Sequence, residues 1–252
     1  MKVTILIPAR MAATRFPGKP LSKILGKPMI QWVYERASQS RAHSVIVATD
    51  SREILETVEG FGGRAMMTRA DHTNGSQRIA EVAEKIESGL VINVQGDEPV
   101  ISPEAINLVI DPLLKDPNLE MATLACRIRN HEDLFNPNIV KVVFAKDHKA
   151  MYFSRSPIPF RKHAGMDQIY WKPDSQTDHF QHIGVYGYQR DFLLQYVKEP
   201  ACDLEEIEGL EQLRALYMGA RIQVEIVDRP SIGVDNPEDI PKVERYLKEG
   251  SS

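Results

Sequence analysis

Short apolar runs alternate with amphipathic segments along most of the chain. Residues 3–7 are apolar and largely β-branched, as expected for a central strand buried on both faces, and Pro8 is predicted to end this strand. Residues 29–37 place their apolar side chains on one helical face, and Pro28 lies in the first turn. The chain therefore opens with a strand, a long loop and a helix.

The alternation continues and predicts the fold class. Further strands are predicted at residues 44–49, 64–67, 90–94, 121–127, 139–144, 151–154 and 221–227. Further helices are predicted at residues 53–61, 79–87, 103–114 and 205–217, and one more begins at Asn236. Strands that alternate with helices indicate an α/β fold, with a mostly parallel sheet covered by helices on both faces.

Residues 155–182 interrupt this pattern. They contain Pro157, Pro159 and Pro173, four aromatic residues and several charges. We interpret them as an insertion or small subdomain that could also make a dimer contact. The main α/β domain is then formed by residues 1–154 and 183–249, and residues 250–252 are a tail.

Composition narrows the class of protein. The chain has 252 residues, of which 42% are hydrophobic and 26% charged, which suits one large soluble domain. No apolar run approaches the roughly 20 residues that span a membrane. Cys126 and Cys202 lack metal-type spacing and indicate a reducing compartment, so we expect a cytoplasmic protein without a membrane partner.

Charge is distributed unevenly. The net charge of −4 argues against general nucleic-acid binding. The first acidic residue is Glu35, and the cations before it are Lys2, Arg10, Arg15, Lys19, Lys23 and Lys27. An acid-free basic segment in an acidic protein predicts a site for a small anion, although a solvated basic face would give the same pattern.

The basic residues lie mainly in the loop of residues 9–27, which follows the first strand. Ligands of open α/β sheets bind at the carboxyl ends of strands, and a triphosphate needs cations together with backbone N–H groups. Neither G-x-G-x-x-G nor G-x-x-x-x-G-K-[ST] is present. Spacing alone leaves a triphosphate loop and an ordinary surface loop equally open.

The run Pro8-Ala9-Arg10, followed by Arg15-Phe16-Pro17-Gly18-Lys19-Pro20-Leu21, closely resembles the signature of the CMP-Kdo synthetases, the 3-deoxy-manno-octulosonate cytidylyltransferases. The resemblance spans nearly the whole chain, with matching blocks at residues 26–30, 48–50, 93–99, 152–155, 182–186, 210–214 and 233–235. One block differs. The family usually has an acid where this chain has Gln77, which either alters base or sugar recognition or only serves the start of a helix.

The resemblance implies an activity and a fold. The expected enzyme is a homodimeric nucleotidyltransferase with a Rossmann-like sheet. It transfers CMP from CTP to the anomeric 2-hydroxyl of Kdo, a 3-deoxy-2-ketosugar acid, for lipopolysaccharide biosynthesis, and it uses Mg²⁺. Three alternatives stay open: an amino-substituted Kdo or other sugar acid, another pyrimidine triphosphate, or a non-catalytic nucleotide sensor.

The resemblance also implies roles for individual residues. Asp97 and Asp235 would bind the metal and, with Arg10 and Lys19, would be catalytic. The expected nucleotide-binding residues are Ala9, Arg10, Arg15, Lys19, Gly75, Ser76 and Arg78. The expected sugar-binding residues are Gln95, Arg155, His182, Tyr186, Glu211 and Gln212. No side chain is expected to act as a general base.

Structural roles remain open for several of these residues. Asp97 and Asp235 could be turn and cap acids, Arg155 could pair with a surface acid, and Glu211 could be exposed on its helix. His179 and His182 lack the further cysteine or histidine ligands of a zinc site.

Overall fold

The computed structural model describes residues 1–12, 16–160, 162 and 179–249. Within these residues the strands are β1 (Val3–Ala9), β2 (Lys23–Ile24), β3 (Lys27–Pro28), β4 (Ser44–Thr49), β5 (Ala65–Met67), β6 (Leu90–Asn93), β7 (Met121–Arg127), β8 (Lys141–Phe144), β9 (Ala150–Ser154), β10 (Phe180–Gln189) and β11 (Ile222–Val227). The α-helices are α1 (Met29–Ser38), α2 (Arg52–Gly60), α3 (Gly75–Lys85), α4 (Pro103–Lys115), α5 (His131–Phe135), α6 (Arg190–Tyr196), α7 (Asp203–Glu208), α8 (Gln212–Tyr217) and α9 (Ile240–Glu249).

The main sheet confirms the predicted fold class. Its strand order is β11-β7-β10-β6-β1-β4-β5, with β8 paired to β10 and β9 paired to β8. The pairs β1–β4, β1–β6, β4–β5 and β7–β11 are parallel, whereas β10 is antiparallel to both β6 and β7. None of the helices in the described ranges is long and apolar enough to cross a membrane.

Helices cover both faces of the sheet because successive residues of the strands point to opposite sides. Ile5 and Ile7 belong to the core cluster that also contains residues of α1, α2 and α4, whereas Leu6 belongs to the cluster with residues of α3 and α6. All three side chains are fully buried. A smaller cluster packs α9 against residues from the loop before α1.

Several predicted boundaries need correction. Pro8 does not end the first strand, which continues to Ala9. The carbonyl of Leu6 accepts a hydrogen bond from the N–H of Val94, so the even-numbered residues of β1 direct their backbone polar groups towards β6. Because β6 has ended at Asn93, the missing N–H of Pro8 leaves no bond of the sheet unmade.

The predicted helix at residues 205–217 is two helices, α7 and α8. Gly209 lies between them with φ of 61°, a left-handed conformation that ends α7 and that glycine adopts without strain. The long loop of residues 9–27 contains a short 3₁₀ helix, Lys19–Leu21, and the two-stranded sheet of β2 and β3.

The predicted insertion of residues 155–182 lies mostly outside the described residues, so it stays a prediction, as does the tail of residues 250–252. Its last three residues belong to the main sheet, because β10 begins at Phe180.

Chain order places a crevice beside β1. The chain runs from β1 outward to β4 and β5, and then returns to β6 on the other side of β1. Such a reversal opens a crevice at the carboxyl ends of the two central strands, where α/β proteins bind their ligands. The loops that leave β1 and β6 at this edge begin at Arg10 and Val94.

Candidate active site

A cleft of about 430 Å³ opens at the carboxyl ends of β1 and β6. We call it the basic cleft, after its three cations Arg10, Lys19 and Arg78. Its other lining residues are Pro8, Ala9, Phe16, Pro20, His72, Asn74, Gly75, Gln95, Gly96, Asp97 and Asp235. The structure thus brings together residues from both ends of the chain that the resemblance assigned to the nucleotide and the metal. Arg15, also predicted to bind the nucleotide, lies outside the described residues.

Lys19 joins the two predicted metal ligands. Its Nζ lies 2.6 Å from Asp97 Oδ2 and 4.0 Å from Asp235 Oδ1. It also donates a 2.9 Å hydrogen bond to the carbonyl of Val234, whose N–H binds the carbonyl of Asp97. One ammonium group therefore holds the loop after β6 against the loop before α9.

Hydrogen bonds at the start of the 3₁₀ helix Pro237–Asp239 position Asp235. The carboxylate of Asp239 accepts from the backbone N–H of Asp235 at 3.1 Å and of Asn236 at 3.0 Å. The side chain of Asn236 completes a capping box with Asp239. The prediction that a helix begins at Asn236 is confirmed here, and this cap leaves the Asp235 side chain 58% exposed at the mouth of the basic cleft.

Glu98 adds a third carboxyl group beside this pair. Burial, together with the negative charges of Asp97 and Asp235, raises the pKa of Glu98 to about 7 against the opposing effects of Ser231 and Lys19. Its Oε2 is buried and has no hydrogen-bond partner within the described part of the chain. Glu98 is not among the predicted site residues, although it lies in the matching block of residues 93–99.

Arg78 lines the basic cleft but is fixed by protein groups. Its guanidinium donates to Asp50 Oδ2 at 2.8 Å and to Thr68 Oγ1 at 2.6 Å, and the residue is only 3% exposed. An ion pair of this kind positions the start of α3 against β4. To contact an anionic ligand directly, Arg78 would need a guanidinium N–H that these hydrogen bonds leave unused.

A second cleft, of about 660 Å³, adjoins the first. We call it the tyrosine cleft, after Tyr186, Tyr188 and Tyr196. Its other lining residues are Gly75, Ser76, Asn93, Gln95, Asn138, Ile139, Val140, Arg155, Gln181, His182, Gly184, Gly209, Leu210, Glu211 and Gln212. It contains all six residues predicted to bind the sugar. Gly75 and Gln95 line both clefts, so the two form one continuous depression.

Ser76 was predicted to bind the nucleotide but lines the tyrosine cleft. Its hydroxyl donates a 2.8 Å hydrogen bond to Glu211 Oε2. Burial raises the pKa of Glu211, while Ser76 and the charge of Arg214 lower it. This bond links α3, at the edge of the basic cleft, to the residue before α8.

His182 is a neutral hydrogen-bonding group. Burial lowers its pKa to about 3, and its Nε2 lies 2.9 Å from Thr123 Oγ1. Thr123 donates to the carbonyl of Val185 at 2.9 Å, so Nε2–H of His182 is the donor to Thr123. The imidazole is thus fixed by its hydrogen bond to β7. No group of three or more histidine, cysteine or acidic side chains that could hold a metal occurs among the described residues.

Gln212 has an unused donor. The residue is 4% exposed, its Oε1 accepts a 3.3 Å hydrogen bond from Tyr186, and its Nε2 has no partner among the described residues. A buried amide without a partner is costly, which points to a ligand acceptor in the tyrosine cleft.

Arg155 binds the protein's own backbone. Its guanidinium donates to the carbonyls of Glu208 at 2.6 Å, Pro137 at 2.9 Å and Gly209 at 3.2 Å. Among the described residues the guanidinium of Arg155 pairs with no surface acid, and its three hydrogen bonds tie together two walls of the tyrosine cleft.

Sequence reasoning missed several lining residues. Gly96 lies inside a quoted block, and a Cβ there would approach the Pro8 carbonyl oxygen to 2.9 Å, so the site needs glycine. Asn74 caps α3, which begins at Gly75 and not at the predicted residue 79. His72, Asn138 and Tyr196 had no sequence signal, because each reaches the site only through tertiary packing.

Comparison with known proteins identifies relatives over the full chain. Residues 4–222 match the family model described as cytidylyltransferase. The 3-deoxy-manno-octulosonate cytidylyltransferase of Syntrophotalea carbinolica is 49% identical over 98% of this chain and 99% of its own length. The enzyme of the same name from Haemophilus influenzae strain PittGG is 46% identical over 98% of this chain and 99% of its own length.

Solved structures agree with these matches. A CMP:2-keto-3-deoxy-manno-octonic acid synthetase complexed with CTP superimposes with a TM-score of 0.91 and 40% identity, over 99% of this chain and all of that chain. A 4-diphosphocytidyl-2C-methyl-D-erythritol synthase from Anaerococcus prevotii shares only the fold, with a TM-score of 0.63 and 14% identity over 98% of each chain.

Proposed function

The chain belongs to the cytidylyltransferase family, and with 3-deoxy-manno-octulosonate cytidylyltransferases as relatives over its full length we infer that it transfers CMP from CTP to Kdo. The observation that carries this conclusion is the continuous depression in which the basic cleft and the tyrosine cleft meet at Gly75 and Gln95. The two substrates of a group transfer must come into contact, and they can do so at this junction.

CTP occupies the basic cleft in this proposal. Arg10 and Lys19 neutralise the triphosphate and stabilise the charge that develops on the leaving pyrophosphate. The anomeric 2-hydroxyl of the sugar acid attacks the α-phosphorus of CTP, which forms the new O–P bond and breaks the bond to pyrophosphate. The protein contributes positioning and charge neutralisation to this reaction, as in other phosphoryl transfers.

Asp97 and Asp235 are the residues that would hold Mg²⁺. They fit a cation, because the ammonium of Lys19 already lies between their carboxylates, and two carboxylates suffice for an ion that takes its remaining ligands from substrate and water. When bound, Mg²⁺ would withdraw charge from the α-phosphate and lower the pKa of the attacking hydroxyl.

The tyrosine cleft holds the sugar acid. The free Nε2 donor of Gln212 suits a hydroxyl or ring oxygen of the sugar, and Gln95 lies at the junction, where the attacking hydroxyl must be oriented. Neutral His182 can bind a sugar hydroxyl without adding charge. We assign no general base.

The proposal extends to the cellular setting and the assembly. Two buried free cysteines suit a reducing cytoplasm. The exposed apolar side chains of Met151, Phe160 and Ile207 suit a homodimer contact near the predicted insertion. Light scattering after size-exclusion chromatography measures the assembly, and a monomeric mass would contradict a dimer.

A pyrophosphate-release assay over four nucleoside triphosphates and several 2-keto sugar acids tests the function. We expect turnover with CTP and Kdo in the presence of Mg²⁺, and none with glucose 1-phosphate as acceptor. Turnover with another pyrimidine triphosphate or another sugar acid would support the alternative substrates. Tight CTP binding without turnover on any acceptor would identify a nucleotide sensor instead.

A further inference from the structure

His72 is a buried imidazole in the wall of the basic cleft. It is 9% exposed, and it lines this cleft together with Asn74, Gly75 and Arg78. These four residues lie at or just before the start of α3, and we call this part of the cleft the α3 end. The reaction proposed above gives His72 no role, although its two ring nitrogens can make different hydrogen bonds.

Glu81 fixes the orientation of this imidazole. Nε2 of His72 lies 2.7 Å from Glu81 Oε2. The same carboxylate accepts from the N–H of Arg69 at 2.9 Å and from Lys85 Nζ at 2.7 Å. Although burial opposes ionisation, these hydrogen bonds lower the pKa of Glu81 to about 2, so the carboxylate is ionised and can only accept. Nε2–H of His72 is therefore the donor.

The other ring nitrogen of His72 is available to a ligand. Nδ1 has no hydrogen-bond partner in the part of the chain that the structure describes, and it keeps contact with solvent. Glu81 is not part of the lining of the basic cleft, so the Nε2 edge of the ring is directed away from that cleft. In a neutral imidazole whose Nε2 carries the proton, Nδ1 is an acceptor.

The neighbouring polar side chains at the α3 end are donors. Asn74 Oδ1 accepts from the N–H of Gln77 at 2.9 Å, and the amide nitrogen of Asn74 can only donate. The guanidinium of Arg78 has no acceptor atom. Such donors suit the O2 carbonyl, which cytosine and uracil share. The two bases differ at position 4, where cytosine has an amine and uracil has a carbonyl, so an acceptor at the α3 end can distinguish them.

The order of the groups in CTP directs its base to the α3 end. In the proposed function, Arg10 and Lys19 hold the triphosphate, and the α-phosphate lies at the junction with the tyrosine cleft. The ribose and the base then extend from the α-phosphate away from Lys19. This placement rests on the proposed function. We propose that Nδ1 of His72, positioned by Glu81, accepts a hydrogen bond from the 4-amino group of cytosine and thereby selects CTP over UTP.

UTP meets an unfavourable partner in this arrangement. Its O4 is an acceptor, so O4 and Nδ1 of His72 would lie against each other without a proton between them. Both atoms would also lose the hydrogen bonds that water gives them. A site built to accept from an amine therefore rejects a base that lacks it.

Steady-state kinetics with three nucleotides measure this contact. The nucleotides are CTP, UTP and the triphosphate of pyrimidin-2-one riboside, which lacks the 4-amino group. Kdo is the acceptor at saturation, and pH 8 favours the neutral imidazole. In the wild type, we expect kcat/KM to fall at least about tenfold when the amine is removed, and further with UTP.

His72→Phe keeps a ring at this position but removes both nitrogens. The loss of the amine should then cost less than about threefold, because the partner of the amine is gone. Glu81→Leu removes the acceptor of Nε2–H, leaves the tautomer of His72 unfixed, and should narrow the preference for CTP severalfold. His131→Phe, at an exposed histidine of α5, is the matched control and should keep the wild-type ratios.

Thermal denaturation checks that the variants fold. If His72→Phe does not fold, His72→Met is the second variant and should give the same ratios. The wild type also tests the proposal without any variant, because a cost of less than about threefold for removing the amine would overturn it.

The possible failures can be told apart. If no transfer from CTP to Kdo occurs, the proposed function is wrong. If Kdo is used, but removal of the amine costs the same in the wild type and in His72→Phe, His72 does not contact the amine and only this inference is overturned. Equal weakening of all three nucleotides in His72→Phe would have the same meaning, because it would show a contact with a part that they share.

Discussion

The ammonium group of Lys19 lies 2.6 Å from a carboxylate oxygen of Asp97 and 4.0 Å from one of Asp235. The same lysine is the one that we expect to bind the triphosphate. Lys19 therefore has two alternative anionic partners, and the protein without ligands uses it to balance the two aspartates. This double role leads to the first prediction.

Lys19→Met should strengthen the binding of a metal ion and weaken the binding of the nucleotide. Without CTP, Mn²⁺ should bind at least about fivefold more tightly, because the competing charge is gone, a gain of ~1 kcal/mol. CTP should bind at least about tenfold more weakly, because a charge-assisted contact is lost. Calorimetric titrations measure both. Lys23→Met, an exposed lysine of β2, is the control, and weaker Mn²⁺ binding in Lys19→Met would contradict the prediction.

Asp97→Asn and Asp235→Asn should each lower kcat by about 100-fold or more, because charge stabilisation at the α-phosphate is lost. Asp147→Asn, which changes an exposed acid in the turn between β8 and β9, should leave kcat unchanged. Single-turnover kinetics at saturating CTP and Kdo measure the step. Near-normal rates in either active-site variant would remove that residue from the metal site.

Glu81→Gln should destabilise the protein in a pH-dependent way. Burial opposes ionisation, but hydrogen bonds from Lys85, the Arg69 N–H and His72 outweigh it and lower the pKa of Glu81 to about 2. The ionised form thus stabilises the fold above the unfolded pKa of about 4.5, and this contribution is lost as the pH falls through 4.5 towards 2.

The expected loss at pH 7 is about 1–2 kcal/mol, because solvent screens the partly exposed ion pairs. Urea denaturation between pH 7 and 3 measures the free energy of unfolding. The difference between wild type and Glu81→Gln should shrink below pH 4.5. Glu84→Gln, on the exposed face of the same helix, should show no such trend. If the difference in the free energy of unfolding did not change with pH, the loss of stability in Glu81→Gln would not come from the lost charge.

Gln77→Glu should leave nucleotide binding intact. Gln77 Oε1 accepts from the N–H and the hydroxyl of Thr73, both at 3.1 Å, and the side chain lines neither the basic nor the tyrosine cleft. KM for CTP should stay within about twofold, while an acid in the first turn of α3 should add ~0.3–1 kcal/mol to stability. A large change in KM would mean that this position acts on the substrate.

Gly187→Ala should destabilise the fold by about 1–3 kcal/mol. A Cβ at Gly187 would lie 2.6 Å from Leu113 and 2.7 Å from Val109, where α4 packs against β10. Gly184→Ala, on the same strand, meets no atom within 4 Å and should leave the melting temperature nearly unchanged. Equal melting temperatures for the two variants would show that α4 can shift to make room.

Hydrophobic pattern was sufficient for the parallel part of the sheet. The predicted bounds 44–49 and 121–127 are those of β4 and β7, because both strands are buried along nearly their whole length. The pattern could not show β10. This strand carries His182, Gly184 and Gly187 and lines a cleft on one face, so it lacks the alternation that marks a half-buried strand.

For the site residues, too, some features could be predicted from the sequence and others could not. Asp97 and Asp235 could be expected to meet, because each follows or precedes an element at the same edge of the sheet. The partners of Arg78 and Arg155 could not be found, because Asp50 and the carbonyls of Pro137 and Gly209 approach them only in the folded chain. Motif resemblance selects which residues line a site, whereas tertiary packing decides which of their donors remain for a ligand.

The shared boundary of the two clefts at Gly75 and Gln95 has a practical consequence for inhibition. A single molecule that joins a cytidine phosphonate to a sugar acid would cross this boundary without a gap to bridge. Once one half is bound, the other half is held at a high effective concentration, so the affinities of the two halves reinforce each other. Such bisubstrate compounds should bind far more tightly than either fragment, and a linker of a few atoms should be sufficient.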